Sequence, residues 1–91
     1  MLCIKEEDLK IINWIKLSDY RYPIMLTLGK KLKTIASINR DSNIEINQIE
    51  EQLKFLEEKN IVKCINKESD KWNLYQLTGM GLRLLSLMRN Q

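Results

Sequence analysis

The chain is expected to fold as one small α+β domain, mostly helical, with three helices, a β-hairpin and a closing helix. Three observations carry that expectation. Apolar residues recur at helical spacing over about 5–17, 23–37 and 46–59. Two runs rich in β-formers, Ile61–Ile65 and Trp72–Leu77, flank the polar stretch Asn66–Lys71. Thr78 then stands where a hydroxyl caps a last, leucine-rich helix over 79–89.

The first helix opens on Glu6, Glu7 and Asp8, acids that suit the positive end of a helix. Leu9, Ile12 and Ile15 follow helical spacing, with Ile11, Trp14 and Leu17 on a neighbouring strip. That apolar surface is wider than the stripe of roughly 100° on a one-sided helix. Either the helix is sandwiched inside the monomer, or its second face packs on another subunit. Pro23 suits the first turn of the next helix, where its missing N–H costs nothing. Ile24, Leu28, Leu32 and Ile35 then predict a helix over about 23–37, single or kinked. Gly29 lies inside it, at a cost of about 1 kcal/mol against alanine.

Asn39–Asn43 reads as turn chemistry. In the third helix, Asn47 and Glu50 have capping-box spacing and Ile49, Leu53 and Leu56 form the inner face. Asn60 suits the left-handed residue that ends such a helix. The hairpin spans 61–77, with Trp72 expected to pack beneath it. In the last helix Leu82, Leu84, Leu85, Leu87 and Met88 cover more than one face.

Ninety-one residues with a net charge of +3 make a single domain over 1–91 that permits a nucleic-acid partner without requiring one. The chain has no histidine for acid–base work or metal ligation, no phosphate-cradling glycine loop and only Cys3 and Cys64 as thiols. No enzyme activity, metal or cofactor is expected, and the two thiols are expected to stay reduced. Apolar runs such as Ile24–Leu26 fall far short of the ~20 residues that span a bilayer, and Lys5–Asp8 breaks any leader-like segment. A cytoplasmic, membrane-free protein is the expectation.

Two stretches carry a resemblance. Leu53-Lys54-Phe55-Leu56-Glu57-Glu58-Lys59-Asn60-Ile61-Val62 is similar to the end of a recognition helix leading into a first wing strand. Tyr75-Gln76-Leu77-Thr78-Gly79-Met80-Gly81-Leu82-Arg83-Leu84-Leu85 is similar to the exit from the second wing strand into the last helix. In this order they resemble the winged helix-turn-helix domain of transcription regulators of the MarR, PadR, HxlR and ArsR groups. The resemblance covers residues 20–88 in outline and about 45–85 at the level of motifs. Gly81 would let the last helix approach the hairpin closely.

The resemblance implies a regulator of transcription that binds double-stranded DNA as a homodimer. Its third helix would enter the major groove, with Asn47, Gln48, Glu51 and Gln52 at base edges. Lys30, Lys31, Lys33, Arg40, Lys54, Lys63, Lys67 and Lys71 would meet phosphates. Dimer contacts would come from the first helix, the last helix or both, with Ile11, Trp14, Leu84, Leu87 and Met88 as candidates. Charge divides unevenly: residues 21–40 hold five cations and no acid, whereas 45–59 hold five glutamates against two lysines. Acids near phosphates oppose binding. The alternative is therefore a protein-interaction module whose acidic third helix faces a protein partner, since fold alone does not choose.

Overall fold

The computed structural model describes residues 5–67 and 72–90. The order is α1 (Glu6–Lys16), α2 (Arg21–Leu28), α3 (Ile35–Ser42), α4 (Ile46–Glu58), β1 (Val62–Cys64), β2 (Tyr75–Leu77) and α5 (Gly79–Arg89). Strands β1 and β2 pair antiparallel, Val62 opposite Leu77 and Cys64 opposite Tyr75. One core joins every element: Ile12 and Ile15 of α1, Ile24, Met25 and Leu28 of α2, Ile38 of α3, Ile49, Leu53 and Leu56 of α4, and Leu84, Leu85 and Met88 of α5. Ile61, Val62, Tyr75 and Leu77 extend it under the hairpin.

The helix expected over 23–37 is two helices. Gly29, at φ 51° and ψ −126°, ends α2 in a conformation that a side chain resists. A turn follows, closed by the Lys31 N–H on the Leu28 carbonyl at 2.9 Å, and Lys33 then exchanges both backbone hydrogen bonds with Tyr75, at 3.0 and 2.8 Å. This single-residue bridge adds a third strand position to the hairpin and separates α2 from α3. Thr34 caps α3 by accepting the Ser37 N–H at 3.1 Å. Most of the stretch expected as a turn, Asn39–Ser42, is the end of α3, and only Asn43 leaves it, at φ 65°.

Between α3 and α4 the turn is held from both sides. The Asn39 amide donates to the Ile44 carbonyl at 2.6 Å, and the Ser42 hydroxyl accepts the Ile44 N–H at 3.2 Å. Ile44 itself is buried. This anchor starts α4 at Ile46, so Asn47 is already inside the helix and the expected Asn47–Glu50 capping box does not form; Glu45 holds the cap position without a side-chain bond. At the far end Asn60 sits at φ 62°. The Ile61 N–H bonds the Leu56 carbonyl and the Asn60 N–H the Glu57 carbonyl, a Schellman ending that feeds straight into β1.

The exit from β2 is equally local. Thr78 Oγ1 accepts the Gly81 N–H at 3.0 Å and donates to the Asn60 carbonyl at 2.7 Å. One side chain therefore caps α5 and ties it to the end of α4. Gly81 packs on Ile61, whose carbonyl leaves no room for a Cβ there. Trp72, expected beneath the hairpin, is instead 56% exposed.

Candidate nucleic-acid interface

Helices α3 and α4 with the turn Asn43–Glu45 form a helix-turn-helix, and β1–β2 form a short wing behind it. On α4 the buried residues are Ile49, Gln52, Leu53 and Leu56. That packing leaves Asn47, Glu50, Glu51, Lys54 and Glu58 exposed, with Gln48 half-buried. Three of the four expected base-edge residues, Asn47, Gln48 and Glu51, thus lie within the first two turns of α4 with surface to offer.

Gln52 does not join them. It is 7% exposed, and its Oε1 accepts a hydrogen bond from Arg21 Nε at 2.9 Å. A residue on the i+4 row from Gln48 faces inward here because α1 and α2 close over that side of α4. Polar identity suggested a reader; the fold has already engaged its acceptor.

The expected phosphate contacts divide. Lys54 on α4 and Lys63 on β1 are exposed. Lys67, near the wing tip, is exposed and lies 3.5 Å from Glu57 of α4. Lys71 lies outside the described residues. Arg40 is exposed and reaches Asp41 at 3.5 Å and Ser37 Oγ at 3.3 Å. Lys33 is mostly buried and its ammonium is paired with Asp41, so it is not an open cation. That neighbour holds the Asp41 carboxyl below its ordinary value, first through the Lys33 hydrogen bond. Lys30 lines a groove of about 460 Å³ with Gly29, Leu82, Leu85 and Arg89, which places it against α5. Lys31 is exposed beside it in the same connection.

Of the expected dimer contacts, Leu84 and Met88 are consumed by the monomer core, 0% and 6% exposed. Ile11, Trp14 and Leu87 are partly buried against it. Larger apolar exposure falls on Leu9, Leu17 and Leu26. The wing carries one further feature. Asn66 donates to the Trp72 carbonyl at 3.0 Å and accepts from the Leu74 N–H at 2.6 Å, so a side chain continues the ladder where β1 ends. Cys64, a free thiol on β1, points its Sγ at the same amide oxygen, 3.7 Å away.

Two pairings were not visible in the residue pattern. Asp8, expected only as a helix-start acid, is buried and bound in two places by Arg83 of α5, at 2.5 and 3.0 Å. Arg21, expected as one charge of a basic stretch, is held between α1 and α4. No local signal marks either, because Asp8 and Arg83 are 75 positions apart and Arg21 and Gln52 are 31 apart.

No known family's sequence profile matches the chain, and no curated protein matches it in sequence. Solved structures do. A MarR-family transcriptional regulator of Porphyromonas gingivalis W83 superposes with a TM-score of 0.76 at 17% identity, over 99% of this chain and 90% of that one. AbfR in a disulfide-formed state gives 0.73 at 28% identity, over 93% of this chain and 57% of AbfR. A mutant MarR from E. coli gives 0.70 at 13% identity, over 99% of this chain and 77% of MarR. Helix-turn-helix, bridged wing and overall superposition agree: the chain is a winged-helix domain with the fold of MarR-family transcriptional regulators.

Proposed function

We propose that this protein is a sequence-reading, duplex-DNA-binding regulator of transcription. What carries the reading is α4: it follows a pinned three-residue turn and presents Asn47, Gln48 and Glu51 in its first two turns. Asn and Gln amides offer paired donor and acceptor groups to adenine, and a carboxylate accepts from cytosine N4. In this docking the N-terminal half of α4 lies in the major groove. Lys63 and Lys67 of the wing, with Lys54 and Arg40, supply phosphate contacts that orient the domain. Similarity to MarR-family regulators supports the same reading. Two copies would join through the outer faces of α1 and α5, with Leu9, Ile11 and Leu87 as the apolar contribution. Their two α4 helices would then meet the major groove about one helical turn apart.

A second reading is favoured by one observation. Glu45, Glu50, Glu51 and Glu58 are exposed on or beside α4, and that charge suits a basic protein surface better than phosphate. Selection of bound duplexes from a random pool separates the two. A recovered palindrome whose affinity falls steeply from low to physiological salt supports the dimeric reader. Absence of any enrichment at low salt removes DNA reading and leaves the protein partner. Light scattering at high micromolar concentration tests the dimer independently; a mass near 10.8 kDa removes it.

A further inference from the structure

We propose that Arg21 is the positioning residue that sets the attitude of α4 against α1, with Gln52 as its acceptor. The inference rests on the DNA-reading proposal for its consequence, though not for its geometry. Arg21 opens α2 and reaches two other helices at once. Its Nε donates to Gln52 Oε1 of α4 at 2.9 Å, and its Nη1 donates to the Trp14 carbonyl of α1 at 2.6 Å. The guanidinium carbon lies 3.9 Å from the centroid of the Trp14 ring and 5.7 Å from that of Phe55 on α4. Lys59, just past α4, approaches the same Trp14 ring at 5.5 Å.

Each of these contacts is suited to holding an angle. The guanidinium is planar, so its donors leave in fixed directions and both helices are aligned to one rigid group. Stacking on Trp14 sets the plane itself. The Trp14 carbonyl belongs to the last turn of α1, where it accepts a long bond from the Leu17 N–H at 3.3 Å and the much shorter one from Arg21. Gln52 sits one turn along α4 from Gln48 and is the chain neighbour of Glu51, so its tether acts on the same stretch of helix that carries two of the proposed reading side chains. Hydrogen bonds to base edges weaken steeply with misalignment. A small rotation of α4 about its axis would therefore cost sequence discrimination before it cost general attraction to DNA.

The test compares the full chain with Arg21→Lys, Arg21→Met, Gln52→Leu and Gln52→Glu. Binding to the selected duplex and to a scrambled one is measured across a salt series, at a temperature where every variant is folded by circular dichroism. Amide hydrogen exchange is followed in α4 and α5 without DNA. Positioning predicts that both Arg21 variants and Gln52→Leu lose the ratio of specific to non-specific affinity by on the order of tenfold, the size of one lost base contact. Their salt slope stays that of the parent, because Arg21 neutralises no phosphate. Gln52→Glu keeps an acceptor and keeps the ratio. Exchange quickens in α4 and stays unchanged in α5. A salt slope lower by about one with the ratio intact would make Arg21 a phosphate contact and overturn the proposal. Unchanged ratio and unchanged α4 exchange overturn it too. If the parent chain selects no duplex, the reading role falls alone, and exchange in α4 decides whether Arg21 positions the helix.

Discussion

At Gly81 an added methyl group would meet the carbonyl oxygen of Ile61 and, at 3.2 Å, that residue's side chain. Neither the first wing strand nor α5 can retreat, because Thr78 bonds both Asn60 and Ile61. Gly81→Ala is expected to destabilise by about 3 kcal/mol, the upper range for overpacking a filled site. Gly29→Ala should cost less, about 1–3 kcal/mol, for another reason. Its Cβ has room, 3.7 Å from the Leu26 carbonyl, and the penalty is backbone strain at φ 51°. Urea unfolding of both variants checks the pair; equal costs would mean that crowding at Ile61 relaxes. The same glycines show what residue-scale reading recovers. Close approach at Gly81 is legible from the motif it sits in. Gly29 is legible as a weak point in a helix, but its positive φ is not, since nothing local says that Lys33 must reach Tyr75.

Among the elements, α1 is tied to α5 by Asp8 and Arg83. The hydrogen bond from Arg83 holds the Asp8 carboxyl below its ordinary value of 3.8, and the same bond raises Arg83. A carboxylate with a depressed folded pKa stabilises the fold fully above its unfolded pKa, and that contribution is lost as pH falls through the folded value. Stability of the parent protein should therefore drop on acidification below about pH 4, where unfolded aspartate begins to take up protons. Asp8→Asn should be less stable at neutral pH and should show a shallower fall in acid. Thermal melts over a pH series measure both. Parallel curves for parent and variant would remove Asp8 from the acid sensitivity and leave it to groups such as Asp41, whose carboxyl is also depressed. Helices and strands as such were mostly readable from periodicity and turn residues. Their exact partners were not, and the break between α2 and α3 shows why: an isolated bridge residue has no pattern of its own.

For the whole molecule, the decisive property is where charge lies around α4. Lys67 of the wing faces a half-buried Glu57 across 3.5 Å, a long pair open to solvent on its lysine side, of the kind that adds little to stability. Lys67→Ala should leave stability within about 0.5 kcal/mol of the parent. On the DNA-binding reading it should weaken all duplexes alike and lower the salt slope by about 1. Binding isotherms at several salt concentrations check this; loss confined to one sequence would make Lys67 a base reader instead. Lys33 offers the contrast. Its ammonium is already committed to Asp41, so Lys33→Ala should change stability more than the salt slope.

What the sequence by itself determined are the features carried by neighbours along the chain. Helical spacing of Ile49, Leu53 and Leu56, the left-handed Asn60, the Thr78 cap and the close Gly81 are all properties of a few consecutive residues. They were enough to name the winged-helix architecture and to assign Asn47, Gln48, Glu51 and Gln52 to one reading face, of which Asn47 and Glu51 are exposed, Gln48 is half-buried and Gln52 is buried. Tertiary structure alone decided which polar groups remain available on that face. Asp8 and Arg83 are 75 positions apart and Arg21 and Gln52 are 31 apart, so no periodicity connects them. A glutamine or a lysine has the same donors and acceptors wherever it stands. Only packing determines whether water, a distant side chain or a ligand satisfies them, and on α4 it has already given Gln52 to Arg21.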